Sequence, residues 1–244
     1  MNYKVLVAAT TLTLLSGTTF AASGFLSDYS KLTPAKSATG TADRVYIAPG
    51  AFERAAGYTA VMLDQPEILF SADSEYRGMK PEDVAALASV MRETAKERLE
   101  AGNYKVVDQP GPEVLFVRVG LTDLYLKKKK RGVLAYTPIG AVAKVGTDAL
   151  KETLDKLDII EMTFEAELAD STSRDVLAAI VVPSGGRKTE GEKEQRMDMA
   201  EFRAHINDYA SRLRCQLDNA KLTKADSIDC TDPKARQARE GTAD

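Results

Sequence analysis

The chain has 244 residues, of which 44% are hydrophobic and 28% charged, as in ordinary soluble globular proteins. Its formal net charge of −3 leaves no basic excess to neutralise phosphates, which argues against a dedicated nucleic-acid-binding protein. A single histidine, two cysteines and no tryptophan further limit the catalytic, metal-binding and base-stacking chemistry that the chain offers.

The first 22 residues have the layout of a secretory signal peptide. Lys4 supplies a positive charge, residues 5–15 form an apolar run, and small residues precede Ser23. This run is too short to cross a bilayer core of roughly 30 Å stably. We therefore expect cleavage after Ala22, with Ala21 as the second choice, and a periplasmic or secreted mature chain. The alternative is a retained membrane anchor.

Residues 15–18 have the shape of a bacterial lipobox, but Thr18 stands at the position of the cysteine that carries the lipid. Because threonine offers no thiol for lipid attachment, we expect an unlipidated mature chain. No other stretch approaches the length of an apolar membrane-spanning helix, so no transmembrane segment is expected after processing.

After the signal peptide, 1–22, we expect an extended leader over residues 23–43, a single α/β domain over 44–222 and a flexible tail over 223–244. The leader is rich in glycine, serine, threonine and proline, which is typical of extended surface segments. Its apolar side chains are expected to dock into a groove of the domain. They are Phe25, Leu26, Tyr29 and Leu32.

In the first half of the domain, the residue pattern predicts short strands around one long helix. Apolar side chains recur at steps of three and four after Pro81, which suits the first helical turn. Gly102 suits the position just after the last turn, so one amphipathic helix is expected between these two residues. The strands predicted around it are 45–50, 60–63, 68–70 and 104–107.

The second half predicts an antiparallel hairpin and a final helix. Side chains alternate between apolar and polar over residues 114–125 and over 160–168, which is the period of half-buried strands, and 176–182 returns as an apolar strand. Apolar residues at helical spacing predict the last helix, with Met199, Phe202, Ile206, Tyr209, Leu213 and Leu217. These elements predict an α+β fold with a mixed or antiparallel sheet and two amphipathic helices on one face.

Three acids, Glu161, Glu165 and Glu167, lie on one face of the hairpin. We interpret this face as exposed to solvent, as in antiparallel sheets with one wet side. The alternative is a site in which these acids converge with Arg118, either for acid–base catalysis or for a small ligand.

Several stretches together resemble one family of exported bacterial proteins. They are SGFLSDYSKL at 23–32, AGNYKVVD at 101–108, PGPEVL at 110–115, VGLTD at 119–123, EAELADS at 165–171 and LAA at 177–179. The chain resembles the family known as domain of unknown function 3313 over roughly residues 23–220, and many members of that family look like lipoproteins. Here Thr18 departs from a lipidated relative, and Ser173-Arg174 replaces the Thr-Gly expected in the hairpin turn.

The activity of that family is not established, so the resemblance implies no catalytic residues. The order of helices and strands is also similar to that of envelope domains such as the curli-secretion lipoprotein and the amino-terminal domain of the Tol-system propeller protein. This similarity concerns the fold, which does not by itself determine function.

The residues predict neither a catalytic nor a metal site. His205 lies beside the apolar stripe of the last helix and is interpreted as a boundary residue rather than a general base. No nucleophile elbow, Walker A loop or EF-hand spacing is present in the sequence. We therefore expect no enzymatic activity, no cofactor and no metal ion.

Cys215 and Cys230 are expected to form a disulfide bond. An even number of cysteines that are close in sequence favours pairing in an oxidising compartment. Two free thiols are the alternative.

One cationic run is unusual: Lys127, Lys128, Lys129, Lys130 and Arg131. We interpret it as a solvated loop that disfavours pairing at a sheet edge. The functional alternative is a surface that binds an anionic component such as lipid headgroups. Residues 132–143 are mostly apolar, and packing inside the domain is favoured for them over an interface.

Two functional hypotheses remain. The first is an exported, non-enzymatic envelope protein that binds a partner, with an envelope protein, an anionic surface component and further copies of the chain all left open. The second is a hydrolase or small-ligand carrier whose site is the acidic sheet face. We favour the first, because the residues offer no catalytic constellation.

Overall fold

The computed structural model describes residues 22–35, 43–75, 78–128, 157–185 and 197–240. Within these ranges, eight strands form one mixed sheet, and two long helices pack on one of its faces, which confirms the predicted α+β fold. The strands are β1 (Thr33–Pro34), β2 (Arg44–Ile47), β3 (Ala60–Leu63), β4 (Glu67–Phe70), β5 (Lys105–Val107), β6 (Val114–Lys128), β7 (Leu157–Asp170) and β8 (Val176–Gly185). The helices are α1 (Ala51–Ala55), α2 (Pro81–Glu100), α3 (Met199–Ala220) and α4 (Pro233–Glu240).

The sheet combines antiparallel and parallel pairs. Its order is β1-β2-β8-β7-β6-β3-β5, and β4 also pairs with β6. Strands β6, β7 and β8 pair antiparallel, whereas β3 and β4 both run parallel to β6. Strand β5 lies parallel to β3, and α2 supplies the crossover that parallel strands require.

A bulge in β6 keeps its apolar side chains on the helix side of the sheet. Asp123 has a φ of 51°, and the pairing of β6 with β7 shifts register between Thr122 and Tyr125. Because side chains alternate along a strand, the extra residue lets Leu121 and Leu124 enter the same core.

Helix α3 begins at a capping box and packs beside α2. The side chain of Asp198 accepts hydrogen bonds from the first-turn backbone, and Glu201 accepts one from the Asp198 backbone N–H. Phe202 of α3 then shares one buried cluster with Leu87 and Met91 of α2 and with the sheet. The two helices therefore cover one sheet face, as predicted.

The sequence predicted a flexible tail after residue 222, and the structure describes α4 within it. The sulfur atoms of Cys215 and Cys230 lie 1.96 Å apart, at bonding distance. Arg236 of α4 is 6% exposed, donates to the backbone oxygen of Cys230 at 2.5 Å and pairs with Asp208 of α3. This helix carries no apolar stripe, so the sequence pattern does not predict that it packs on the domain. A disulfide and a buried ion pair attach it instead.

Alkaline pH is expected to lower the stability that a hydrogen bond between Tyr58 and Asp170, the last residue of β7, gives to the fold. Tyr58 donates a hydrogen bond to Asp170 Oδ2 at 3.0 Å, and burial together with this bond raises the pKa of Tyr58 to about 12. Since an unfolded tyrosine has a pKa of about 10, the folded state keeps a proton that the unfolded state loses above that pH. The free energy of unfolding should therefore fall as pH rises from about 10 towards 12.

Urea unfolding across this pH range checks the expectation. The Tyr58→Phe variant should show a shallower decline than the wild type, because it lacks the titrating hydroxyl. Equal slopes for the two proteins would contradict the assignment to Tyr58.

Candidate functional site

The leader lies on the sheet face opposite the helices. Phe25, Leu26 and Leu32 are 3%, 5% and 8% exposed, and they pack with Ala179 and Val181 of β8. This confirms the prediction that the apolar residues of the leader dock on the domain. They pack on a sheet face rather than in the groove that was predicted.

The prediction of a solvent-exposed acidic face is wrong for two of the three acids. Glu165 is 1% exposed and Glu167 is 7% exposed, because the leader covers both. The carboxylate of Glu165 accepts hydrogen bonds from the Tyr29 hydroxyl at 2.6 Å and from the Thr122 hydroxyl at 2.7 Å. Glu167 accepts from the backbone N–H of Ser27 at 3.0 Å and also from its hydroxyl.

Tyr29 organises the leader around these acids. Its hydroxyl oxygen lies 3.1 Å from the backbone N–H donors of Phe25 and Leu26 and 2.7 Å from the Ser23 hydroxyl. Burial and the hydrogen bond to Glu165 raise the pKa of Tyr29. The leader is therefore fixed by buried hydrogen bonds to carboxylates as well as by apolar contacts.

Arg118 completes the polar network under the leader. Its guanidinium lies 2.9 Å from Glu67 Oε1 and 3.5 Å from Glu167 Oε1, and it stacks on the Phe25 ring at 4.8 Å. Of the three predicted acids, Glu167 thus converges with Arg118, as the ligand-site alternative required, but the leader itself fills the space above Glu165 and Glu167. A site for an external substrate is therefore not formed by Glu165 and Glu167.

A second candidate is an apolar cavity of about 420 Å³ between the sheet and helices α1 and α3. Its floor comes from β6, β7 and β8, with side chains such as Val117, Val119, Phe164, Leu168, Ala178 and Ile180. Its volume is in the range of roughly 300–1,000 Å³ that is typical of small-molecule sites. We call it the apolar cavity.

The apolar cavity opens to solvent beside α1 and β2. Ile47 and Phe52 line it and are 47% and 48% exposed, so the opening has an exposed apolar rim. Helix α1 was not predicted, because its five residues after the turn at Gly50 are too few to show helical periodicity. Exposed apolar rims of this kind are typical of ligand or partner sites.

Polar side chains reach the apolar cavity from three places. Tyr209 and Arg212 lie on the flank of α3, Thr231 follows the disulfide, and Asp43 precedes β2. Arg212 Nη2 lies 2.7 Å from Asp208 Oδ2. The Tyr209 hydroxyl lies 3.0 Å from the Ser184 hydroxyl, and burial raises the pKa of Tyr209.

A family profile described as "Protein of unknown function (DUF3313)" matches residues 21–213. The chain belongs to this family. A search of curated proteins found no match.

Solved structures similar to this DUF3313 chain include two of the PelC dodecamer from Paraburkholderia phytofirmans, at 10% and 11% identity and TM-scores of 0.34 and 0.36. Each covers 72% of this chain and 95% of PelC. A neuraminyllactose-binding hemagglutinin homolog from Helicobacter pylori aligns at 13% identity and a TM-score of 0.31, over 75% of this chain and 88% of its own.

The other predicted site residues do not join either candidate in this DUF3313 chain. Lys127 lies 3.3 Å from Glu75 at the end of β6, and Lys128 is the last described residue of that strand. Residues 129–131 and 132–143 lie outside the described ranges, so the anionic-surface hypothesis stays a prediction. His205 is half-buried, with its ring centre 6.3 Å from that of Tyr209.

The described ranges contain no cluster of three or more His, Cys, Asp or Glu side chains arranged to hold a metal ion. Among the helices of these same ranges, none is long and apolar enough to cross a membrane.

Proposed function

We propose that this protein is an exported, non-enzymatic binding protein of the bacterial envelope, and that its apolar cavity holds the hydrocarbon chain of an amphiphile. The observation that carries the proposal is the open cavity between α3 and the sheet, with its apolar floor and its exposed rim at Ile47 and Phe52. The acidic sheet face, which was the other candidate site, is occupied by the leader.

The close packing around the apolar cavity supports a bound hydrocarbon chain. Protein interiors are close-packed and hold few voids larger than a water molecule, so a cavity of about 420 Å³ beside a well-packed core is a specific feature. Small side chains on three elements, Ala55, Ala178 and Ala210, help to keep it open. A flexible hydrocarbon chain suits such a cavity, because it demands no directional hydrogen bonds from the floor.

The chemistry of the lining favours binding over catalysis. Asp43 is the single carboxylate among the described lining residues, and no histidine or lysine accompanies it there. Cys230 contributes to the wall but is engaged in the disulfide. General acid–base or nucleophilic catalysis requires paired groups within hydrogen-bonding reach of each other.

Two features support export. Residues 4–22 have the charge, apolar run and small-residue junction of a cleaved signal peptide. The disulfide between Cys215 and Cys230 suits an oxidising compartment such as the periplasm. Thr18 supports release of the mature chain without a lipid anchor.

Displacement of a fluorescent apolar probe by a series of straight-chain alcohols tests the proposal on the mature protein. Each added methylene should tighten binding by about 0.8 kcal/mol, or about fourfold, until the apolar cavity is full, because each buries its surface in apolar surroundings. A flat series, or no displacement by any alcohol, would refute the proposal.

Filling the apolar cavity provides the matched control. Ala178→Phe should abolish alcohol binding, because its ring projects from the floor of the cavity. Ala204→Phe, on the exposed side of α3, should bind as the wild type does. If thermal unfolding shows that Ala178→Phe does not fold, Ala55→Phe fills the cavity from its opposite wall. Unchanged binding by a folded cavity-filled variant would exclude this site.

A further inference from the structure

We infer that the ligand of the apolar cavity carries an anionic headgroup, a carboxylate or a phosphate monoester on a single chain, and that Arg212 binds it. This inference rests on the proposed function and adds the chemical class of the ligand. It comes from Arg212, whose guanidinium is the one cationic group among the described residues that line the cavity.

Arg212 has a buried donor that the described part of the chain leaves unused. Its Nη2 pairs with Asp208, but its Nε is buried and has no hydrogen-bond partner among the described residues. A buried donor without an acceptor is costly. An oxygen-rich headgroup beside Arg212 would supply that acceptor, while its hydrocarbon chain lies along the apolar floor of the cavity.

Two cations and two carboxylates lie around this position. Asp208 is shared by two guanidinium groups, those of Arg212 and Arg236. Asp229, which is exposed, lies near both arginines, and hydrogen bonds from Thr231 together with these cations lower its pKa. Because the charges of these four groups balance, the inferred preference for an anion rests on the unused Nε–H of Arg212.

Asp43 is the opposing charge on the apolar cavity, and it already has a partner of its own. It is buried at the start of β2, whereas Arg212 comes from the flank of α3. An anion would bind Arg212 through a charge-assisted hydrogen bond.

The test compares dodecanoate with dodecanol at neutral pH on the mature wild-type protein and on two variants. The wild type should bind dodecanoate about tenfold more tightly than dodecanol, as one charge-assisted hydrogen bond provides. Arg212→Gln should remove this preference, because it should lower the affinity for dodecanoate by about tenfold and that for dodecanol by less. Arg203→Gln, which replaces an exposed arginine of the same helix, should keep the preference.

The outcomes separate the two levels of the proposal. Equal affinities for both ligands in the wild type, or a preference that survives in Arg212→Gln, would overturn the headgroup assignment while leaving chain binding intact. If neither ligand binds the wild type, the proposed function fails together with the inference. Far-ultraviolet circular dichroism of each variant shows that it is folded, and Arg212→Lys, which keeps the charge but lacks Nε–H, should retain only part of the preference.

Discussion

Replacing Gly120 by valine is expected to lower the free energy of unfolding by about 3 kcal/mol and to detach the leader from the sheet. A Cβ atom at Gly120 would lie 2.7 Å from the Phe25 ring, closer than carbon atoms approach. The ring also lies 4.8 Å from the Arg118 guanidinium, so a shift away from Gly120 disturbs this contact as well. Once Phe25 moves, the carboxylates of Glu165 and Glu167 lose the leader that covers them.

Urea unfolding of a double-mutant cycle with Phe25→Ala measures this effect. Phe25→Ala alone should also cost about 3 kcal/mol, because it removes a buried aromatic side chain. In that background Gly120→Val should cost little, since the ring that it displaces is already absent. If Gly120→Val lowers the free energy of unfolding by the same amount in the Phe25→Ala background, the glycine is required by the backbone of β6 itself and not by the contact with the leader.

Removing the disulfide is expected to lower the free energy of unfolding by about 3 kcal/mol as well. The bridge spans a sequence separation of 15 residues, and a loop of this length yields roughly that stabilisation by restricting the unfolded chain. The Cys215→Ala/Cys230→Ala variant avoids buried hydroxyls at sites that are 5% and 3% exposed. Its urea midpoint should lie well below that of the oxidised wild type.

A reductant provides the control for this measurement. It should lower the midpoint of the wild type towards that of the double-alanine variant and leave the variant unchanged. Identical midpoints for oxidised and reduced wild type would mean that the disulfide adds no stability and that polar contacts such as the Arg236–Asp208 ion pair hold α4.

The spacing of apolar residues predicted most of the fold, because most of its helices and strands have a regular period in the sequence. β7 alternates apolar and acidic side chains, and α2 and α3 each carry a continuous apolar stripe, so sequence spacing alone located them. The parallel pairing of β3 and β4 with β6 joins segments distant in sequence, and no local pattern encodes it.

The environment of the acids was misjudged because alternation cannot tell what covers the polar side of a strand. Glu165 and Glu167 have the spacing of a wet face, yet a leader from more than a hundred residues earlier hydrogen-bonds to both. The sequence did hold a signal in Gly120, since a glycine within a strand often marks a close approach by another segment. Here that segment is Phe25.

The apolar cavity had no sequence signature at all. It depends on the gap between α3 and β8 and on α1, a helix too short to be periodic. Alanines such as Ala178 and Ala210 are compatible with a closed interface, and only the relative positions of the elements leave space above them. A cavity that depends on the relative positions of distant elements is therefore visible only in the folded structure.

Intermolecular nuclear Overhauser effects between a bound dodecanol molecule and methyl groups of the mature protein locate the ligand, because they report contacts over very short distances. We expect contacts with Ala178, Ile180 and Ala210, which line the apolar cavity, and none with Leu26 of the leader or with Val181, which packs against the leader. Contacts confined to the leader side, or no contact with the three cavity residues, would contradict binding of the hydrocarbon chain in the apolar cavity.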